Sequence, residues 1–482
     1  MKNVQLDPAL NQSPPAPQHI HLIGICGTAM AALAGMLKER DFHITGSDQN
    51  VYPPMSDILA DLQIPVQEGF RAEHLQPAPD LVIVGNVVRA TNPEAIELAR
   101  LGLPYLSMPQ ALAHFFLKGK IPLVVSGTHG KTTTSSLLAT TLHRMGETPG
   151  FMIGGIVEAF GRNYNVSDSP YFVIEGDEYD TAFFNKVSKF HHYLPQFAIC
   201  TSVEFDHADI FTDLAAIKRT FTEFFTRIPP DGALIAEGDD PVLADLVVNA
   251  ACPVLSYGTG ENCDWRLHDV QAQGLHSIFT FSYQGEMQGT CHLPMPGRHN
   301  CLNALAVIAL LHRLGFPLEA ILPAITTFEG VKRRQQVRGE VRGITIIDDF
   351  AHHPTAVTTT LDAFRQSWPD NRLIVVFEPR TNSSRRAVFQ QDYAQAFAVA
   401  DQVLIREALP LDGLAEEEQF SSTRLAEDLR GQHIPAQAFA NTDAIIDHLS
   451  EHCRVGDKVV ILSNGGFDNI HTRLLQRLQD AV

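Results

Sequence analysis

Leu123-Val124-Val125-Ser126-Gly127-Thr128-His129-Gly130-Lys131-Thr132-Thr133 is the stretch on which the reading of this chain turns. An apolar strand from Leu123 to Ser126 stops at a glycine, and a Lys-Thr pair opens what the spacing from Thr132 to Met145 predicts to be a helix. A helix start with flexible glycines and a lysine offers backbone N–H groups and a point charge to a polyphosphate. Gly127, Thr128, His129, Gly130, Lys131, Thr132 and Thr133 are therefore the candidate nucleotide-phosphate residues, with the Thr132 hydroxyl placed for Mg2+. The loop is shorter than GxxxxGK[ST], because Val125 stands where the first glycine of that pattern falls.

Moving outward, two further strand ends carry hard-metal ligands, Glu175-Gly176-Asp177-Glu178-Tyr179-Asp180 and Glu204-Phe205-Asp206-His207-Ala208-Asp209. A nucleotide-bound Mg2+ needs few protein ligands, since phosphates and waters complete its octahedron. The same design recurs along the chain: HIHLIGICG, DLVIVGN, YFVIEGDEYD, FAICTSVEFDH, ITIIDDFAHHP, RLIVVFEPR and DKVVILSNGG are short apolar runs that stop at polar or glycine-rich tips. Strands apolar on both faces belong to parallel sheets covered by helices, and ligands gather beyond their carboxyl ends. With helical spacing in between, as from Ala29 to Arg40, the fold class is α/β.

Composition narrows the function. A length of 482 residues implies about three domains. The formal charge of −19 repels polyanions, so no nucleic-acid or acidic-membrane partner is expected, and a phosphorylated substrate must be held by local donors or a metal. Seven scattered cysteines without a CxxC pair read as reduced thiols of a cytoplasmic protein. No apolar run is long enough to span a bilayer. Residues 1–18, polar and containing Pro14, Pro15 and Pro17, read as a disordered tail without signal-peptide features. No obligate protein partner is evident.

Near the amino terminus, Gly24-Ile25-Cys26-Gly27-Thr28-Ala29-Met30 is a strand-to-helix turn with Asp48 about twenty residues later, similar to a dinucleotide fingerprint. Cys26 and Met30 replace its second and third glycines, which argues against a nicotinamide cofactor. Backbone donors for a diphosphate remain.

Together these motifs resemble the Mur ligases of bacterial cell-wall synthesis and recycling. GTHGKTTT, EGDEYD, EFDHAD, GRHNCLNALA, GVKRRQQVRGE, DDFAHHPT and SNGGF occur in the family's order over nearly the whole chain. The resemblance implies an ATP- and Mg2+-dependent ligase that joins a carboxylate on a UDP-linked sugar to an amine through an acyl phosphate, in the cytoplasm. It also implies three domains: a Rossmann-like N-terminal domain over 19–118 for the UDP-sugar, a central P-loop ATPase domain over 119–334, and a Rossmann-like C-terminal domain over 335–482 that binds the amine and closes over the nucleotide.

Carried over position by position, Lys131 would bind the β and γ phosphates, and Thr132, Glu175 and His207 would organise Mg2+. Asn300 and Asn303 would face the adenine, and Arg334, with Arg333 as the alternative, would approach the phosphates. Asp349 would meet the ribose or phosphates, and His352 or His353 would stand near the amine. Gly24, Gly27, Thr28, Ala29 and Met30 would hold the UDP-sugar diphosphate, with Ser47 and Asp48 towards the nucleoside. Many relatives carry a carbamylated lysine after the DH motif; here Phe221 takes that register and Lys218 falls a turn early, so no modified lysine is assigned.

Two kinds of relative use UDP-N-acetylmuramate, one adding L-alanine and the other the recycled tripeptide L-alanyl-γ-D-glutamyl-meso-diaminopimelate. The alanine-adding relatives carry two arginines where Thr381 and Ser384 stand, and the last tip, SNGGF, departs from them too. The tripeptide is therefore the expected donor. Arg380 would grip its carboxylates, and Asn382 or Asn464 its amides.

Overall fold

A computed structural model describes residues 4–52, 55–206 and 210–480. The chain divides into two compact units, one formed by Met1–Val203, Ala215–Tyr257 and Ala306–Ala324, the other by Glu204–Leu214, Gly258–Leu305 and Ile325–Val482.

The first unit contains two parallel sheets. In the amino-terminal one the strand order is Val66–Glu68, His43–Asp48, His19–Ile23, Leu81–Val84, Tyr105–Ser107. The order reverses beside His19–Ile23, so the crevice beyond that strand is where a doubly wound sheet takes a ligand. The helix Thr28–Lys38 leaves from this point, and its inner face from Met30 to Leu37 is buried. Its Gly35 lies so close to Tyr164 that a Cβ would stand 2.4 Å from the phenol oxygen. That seam, with an Arg162–Glu39 ion pair of 2.6 Å, docks the helix on the strands Gly150–Val157 and Arg162–Asn165.

The second sheet of this unit runs Val254–Gly258, Ala233–Glu237, Phe197–Cys200, Ile121–Ser126, Tyr171–Gly176, Gly150–Val157, Arg162–Asn165, parallel except for the last pair. Its central strand Ile121–Ser126 is apolar because helices cover both faces, and it feeds the helix Lys131–Arg144.

In the second unit an antiparallel meander of Trp265–Gln273, His276–Tyr283 and Glu286–Leu293 packs with a six-stranded sheet. The sheet order is Gln336–Val341, Ile344–Asp349, Lys458–Leu462, Leu373–Phe377, Gln402–Arg406, Ala436–Phe439, with only the first pair antiparallel. The tips after Asp349, Phe377 and Leu462 are therefore neighbours. Both tryptophans lie in this unit: Trp265 is buried and stacked on Tyr283, and Trp368 is stacked on Phe364.

Two sequence expectations need correction. Residues 4–18 are not a disordered tail: Leu6 is buried, Val4 and Leu10 pack beside it, and Asn11 donates to the Tyr105 carbonyl at 3.0 Å. Apolar side chains at four-residue spacing were enough to seat a segment that composition alone marked as loose. The strand His19–Ile23 is not apolar on both faces, since His21 is fully buried within hydrogen-bond distance of Thr45.

Candidate active site

The P-loop follows from its glycines. Gly127 has φ +125°, and a Cβ on it would stand 2.2 Å from the Thr201 hydroxyl, so only glycine lets the loop pass the neighbouring strand end. Gly130, at φ +81°, is the N-cap of the helix Lys131–Arg144 and provides no side-chain cap; the first turn holds no acid. The leading N–H groups of that helix lie at its start, the ordinary seat of a phosphate.

Lys131 is largely enclosed. Its Nζ donates to the Gly127 carbonyl at 2.5 Å and to Glu178 at 3.2 Å. Burial opposes its charge, but Glu178, Asp177 and Glu175 outweigh burial and hold its pKa above the ordinary lysine value. The strand register Val125↔Glu175 brings Glu175 beside the loop, where it accepts from the Thr132 hydroxyl at 3.3 Å and from the Gly154 N–H at 2.7 Å. Two hard oxygen donors side by side next to a phosphate-binding helix start fit the chemistry of Mg2+. His207 lies outside the described residues.

The remaining acids have cationic partners that the sequence did not announce. Lys189 is buried and donates to Asp177 at 3.1 Å and to the Tyr179 hydroxyl at 2.9 Å. Burial raises the Asp177 pKa, but Lys189 and Lys131 bring it below the usual carboxylate range. Lys218 points elsewhere, to Asp245 at 3.6 Å, while Phe221 is buried against Phe190, so the helix Leu214–Phe225 offers no lysine in that register.

At the amino-terminal turn the donors divide into two groups. The N–H groups of Gly24 and Ile25 reach the Ser47 carbonyl at 2.8 and 3.1 Å, and that of Cys26 reaches the Asp48 carboxylate at 2.9 Å. The helix begins at Thr28 after Gly27, which gives no side-chain cap, so Thr28, Ala29 and Met30 carry the outward N–H groups. Ser47 departs from expectation: it is fully buried, with its hydroxyl on Glu94 at 2.5 Å, and it holds the turn from beneath. Asp48 is likewise engaged with the turn and with the Asn50 N–H at 3.0 Å.

In the second unit, Asn300 is buried and donates to the Pro296 carbonyl and to Gln335, both at 2.8 Å, and Asn303 donates to Asn300 at 3.4 Å. They brace a turn. Asp349 accepts from the Gln335 and Ala351 N–H groups at 2.7 and 2.8 Å; burial raises its pKa against the opposing charge of Arg334. Arg333 is tied to Asp348 at 3.4 Å and to the Ser463 carbonyl at 2.6 Å, whereas Arg334 lies over the Phe350 ring at 4.5 Å. Arg333 also lies over that ring, at 5.3 Å. His353 is the N-cap of the helix Pro354–Ser367, and His352 approaches the Phe350 carbonyl at 3.1 Å. Glu204, from the second acidic strand tip, accepts from the Thr355 hydroxyl at 2.8 Å.

Beyond the strand Leu373–Phe377, Thr381 and Ser384 bond to each other at 2.8 Å, and Ser384 is buried. Asn382 accepts from Arg385 at 3.3 Å. Arg380 lies across Gly465, where a Cβ would stand 2.3 Å from its Cδ, and its nearest acid is Glu378 at 4.0 Å. Next to it the Oδ1 of Asn464 is buried without a donor.

The family descriptions match in the same order as the motifs: "Mur ligase family, catalytic domain" over residues 19–119, "Mur ligase middle domain" over 125–311, and "Mur ligase, glutamate ligase domain" over 333–465. The chain belongs to the Mur ligase family. Mur ligases are ATP-dependent enzymes that form C–N bonds, and the three-part α/β architecture agrees with theirs. A relative from Haemophilus influenzae named UDP-N-acetylmuramate–L-alanyl-γ-D-glutamyl-meso-2,6-diaminoheptandioate ligase is 39% identical, covering 96% of this chain and 99% of the relative. One of the same name from Escherichia coli is 37% identical over 95% and 98%. The crystal structure of a murein peptide ligase from Psychrobacter arcticus matches with a TM-score of 0.72 at 36% identity, over 96% of this chain and 99% of that one. Within the Mur ligase family this chain groups with the murein peptide ligases.

Proposed function

We propose that this Mur ligase joins UDP-N-acetylmuramate to the recycled tripeptide L-alanyl-γ-D-glutamyl-meso-diaminopimelate, using ATP and Mg2+ and passing through an acyl phosphate, in cytoplasmic peptidoglycan recycling. The names of the Haemophilus and Escherichia relatives support the substrates. The observation that carries the donor assignment is the carboxy-terminal strand tip. There Arg380 crosses Gly465 beside the unpartnered Asn464 Oδ1, and Thr381 and Ser384, bonded to each other, stand where the alanine-adding relatives carry arginines.

A sugar carboxylate is inert to amines at neutral pH, so it has to be activated by phosphoryl transfer, which depends on positioning and positive charge. When bound, Mg2+ supplies charge neutralisation at the phosphates. Thr132 and Glu175, with His207, are the residues that would hold it. Lys131 and Arg334 add cationic charge, and the N–H groups opening the helix Lys131–Arg144 orient the phosphates. Thr28, Ala29 and Met30 hold the UDP-sugar diphosphate. Arg380 grips a peptide carboxylate bidentately, and Asn464 Oδ1 accepts an amide or ammonium proton; L-alanine would leave both partly unmatched. The domain limits 19–118, 119–334 and 335–482 belong to the same proposal.

Specificity constants for the tripeptide and for L-alanine, measured on the purified enzyme with UDP-N-acetylmuramate and ATP, test the assignment. A strong preference for the tripeptide is expected. Equal use of L-alanine would overturn it.

A further inference from the structure

Glu94 is a carboxylate that no step of the proposed chemistry uses, yet it is fully buried. It sits in the first turn of the helix Pro93–Leu101, after the Asn92 cap, where the helix dipole favours negative charge. Its Oε2 accepts the Ser47 hydroxyl at 2.5 Å; its Oε1 accepts the Arg71 N–H at 3.2 Å and faces His74 Nδ1 at 2.7 Å. His21 Nε2 stands 3.6 Å away. Burial raises its pKa, but these partners together bring it below the usual carboxylate value.

The cluster continues along one sheet face. The register His19↔His43, His21↔Thr45, Ile23↔Ser47 puts alternate residues of two strands on the Glu94 side. The Thr45 hydroxyl is 2.8 Å from His19 Nε2 and 2.9 Å from His21 Nδ1. A row of polar side chains inside a sheet face is costly unless every member is partnered, and this row ends on Ser47. The Ser47 carbonyl is the acceptor from which Gly24 and Ile25 hang, and the adjoining Asp48 carboxylate holds Cys26. The whole turn is thus suspended from the end of the strand His43–Asp48. The position of that strand end fixes where Thr28, Ala29 and Met30 present their N–H groups.

We infer that Glu94 is a positioning residue for the nucleotide-sugar: acting through Ser47, it sets the glycine turn and so the three donors for a diphosphate. Ser47 is a strut, not a ligand contact. The inference rests on the reading of this turn as the UDP-sugar seat.

The test is steady-state kinetics of the full-length enzyme with UDP-N-acetylmuramate, ATP and the amine donor, with thermal melting as a check on folding. Glu94→Gln keeps the shape but puts an N–H against groups that donate. It is expected to raise KM for UDP-N-acetylmuramate about tenfold, with kcat and KM for ATP unchanged. Ser47→Ala, which removes a hydroxyl too deep to touch substrate, is expected to do the same, and the double variant should be no worse than the larger single effect. An unchanged KM in Ser47→Ala overturns the inference even if Glu94→Gln does not fold, and so do fully multiplicative effects in the double variant. Thr28→Pro separates failure of the underlying reading. Proline is tolerated at the first helical position but removes one of the three donors. If Thr28→Pro leaves KM unchanged, the turn is not the diphosphate seat; if it raises KM while Ser47→Ala does not, only the role of Glu94 falls.

Discussion

The ammonium of Lys131 lies 3.2 Å from the carboxylate of Glu178 while also donating to the carbonyl of Gly127, its own loop. The P-loop lysine is therefore drawn back onto protein groups that a triphosphate has to replace. Lys131→Ala should abolish ligation while leaving the fold intact, as judged by circular dichroism and melting temperature. Activity within about tenfold of the parent, roughly 1.4 kcal/mol of barrier, would contradict a phosphate-binding role.

Glu178 gives the converse case. Replacing it by glutamine removes the charge that competes for Lys131, so KM for ATP should fall about three- to tenfold, with kcat little changed. A rise in KM would mean that the carboxylate assists nucleotide binding.

For the metal, Glu175→Ala leaves Thr132 without its neighbouring acceptor. The Mg2+ concentration giving half-maximal activity should increase about tenfold or more, and titration with excess chelator shows whether activity depends on the ion at all. Activity that survives chelation would remove the metal from the mechanism.

The amine donor is tested at Gly465 and Arg380. A methyl group at position 465 would collide with Arg380 rather than with backbone, so Gly465→Ala should fold normally and displace the guanidinium. Tripeptide kcat/KM should fall by about tenfold to a hundredfold in both Gly465→Ala and Arg380→Ala, with KM for ATP retained. An effect of Arg380→Ala on ATP alone would place the arginine elsewhere.

Stability at neutral pH is open to a further check. Glu237, at the end of the strand Ala233–Glu237, has its pKa pushed by burial, and then by the nearby Asp239 and Asp240 charges, from 4.5 to about 7. Between those values the folded chain keeps a proton that the unfolded chain has lost, so this group's contribution to stability declines as pH rises through that window. Glu237→Gln should stabilise the protein at pH 8 by on the order of 1 kcal/mol, after discounting for solvent screening of a half-exposed group, and the gain should vanish near pH 4. Melting temperatures at the two pH values measure the difference.

Much of this architecture was legible in the sequence because parallel strands buried on both faces leave near-continuous apolar runs, and their polar tips mark the ligand side. The helix after Gly130 followed from that logic, whereas the Val125–Glu175 pairing came only with the strand order. The polar face of the amino-terminal sheet did not, although His19, His21, His43, Thr45 and Ser47 already carry a two-residue period. An isolated histidine in an apolar run gives no sign of the distant Glu94 that it faces. Lys189 was missed for the same reason: its partners, Asp177 and Tyr179, lie across a hairpin, and tertiary pairing of a buried charge leaves no local pattern. The direction of Ser47 and Asp48, inward to the turn, depends on packing that only coordinates reveal.

The placement of both indole side chains, Trp265 and Trp368, in the second unit has a spectroscopic consequence. Emission excited at long wavelength therefore reports on that unit, and the amino-terminal sheet that carries the glycine turn holds no indole. A denaturant titration followed in parallel by tryptophan emission and far-ultraviolet dichroism therefore asks whether the chain melts as one cooperative block. Coincident curves mean that it does, whereas a dichroism change without an emission change assigns the weaker fold to the half that carries the P-loop.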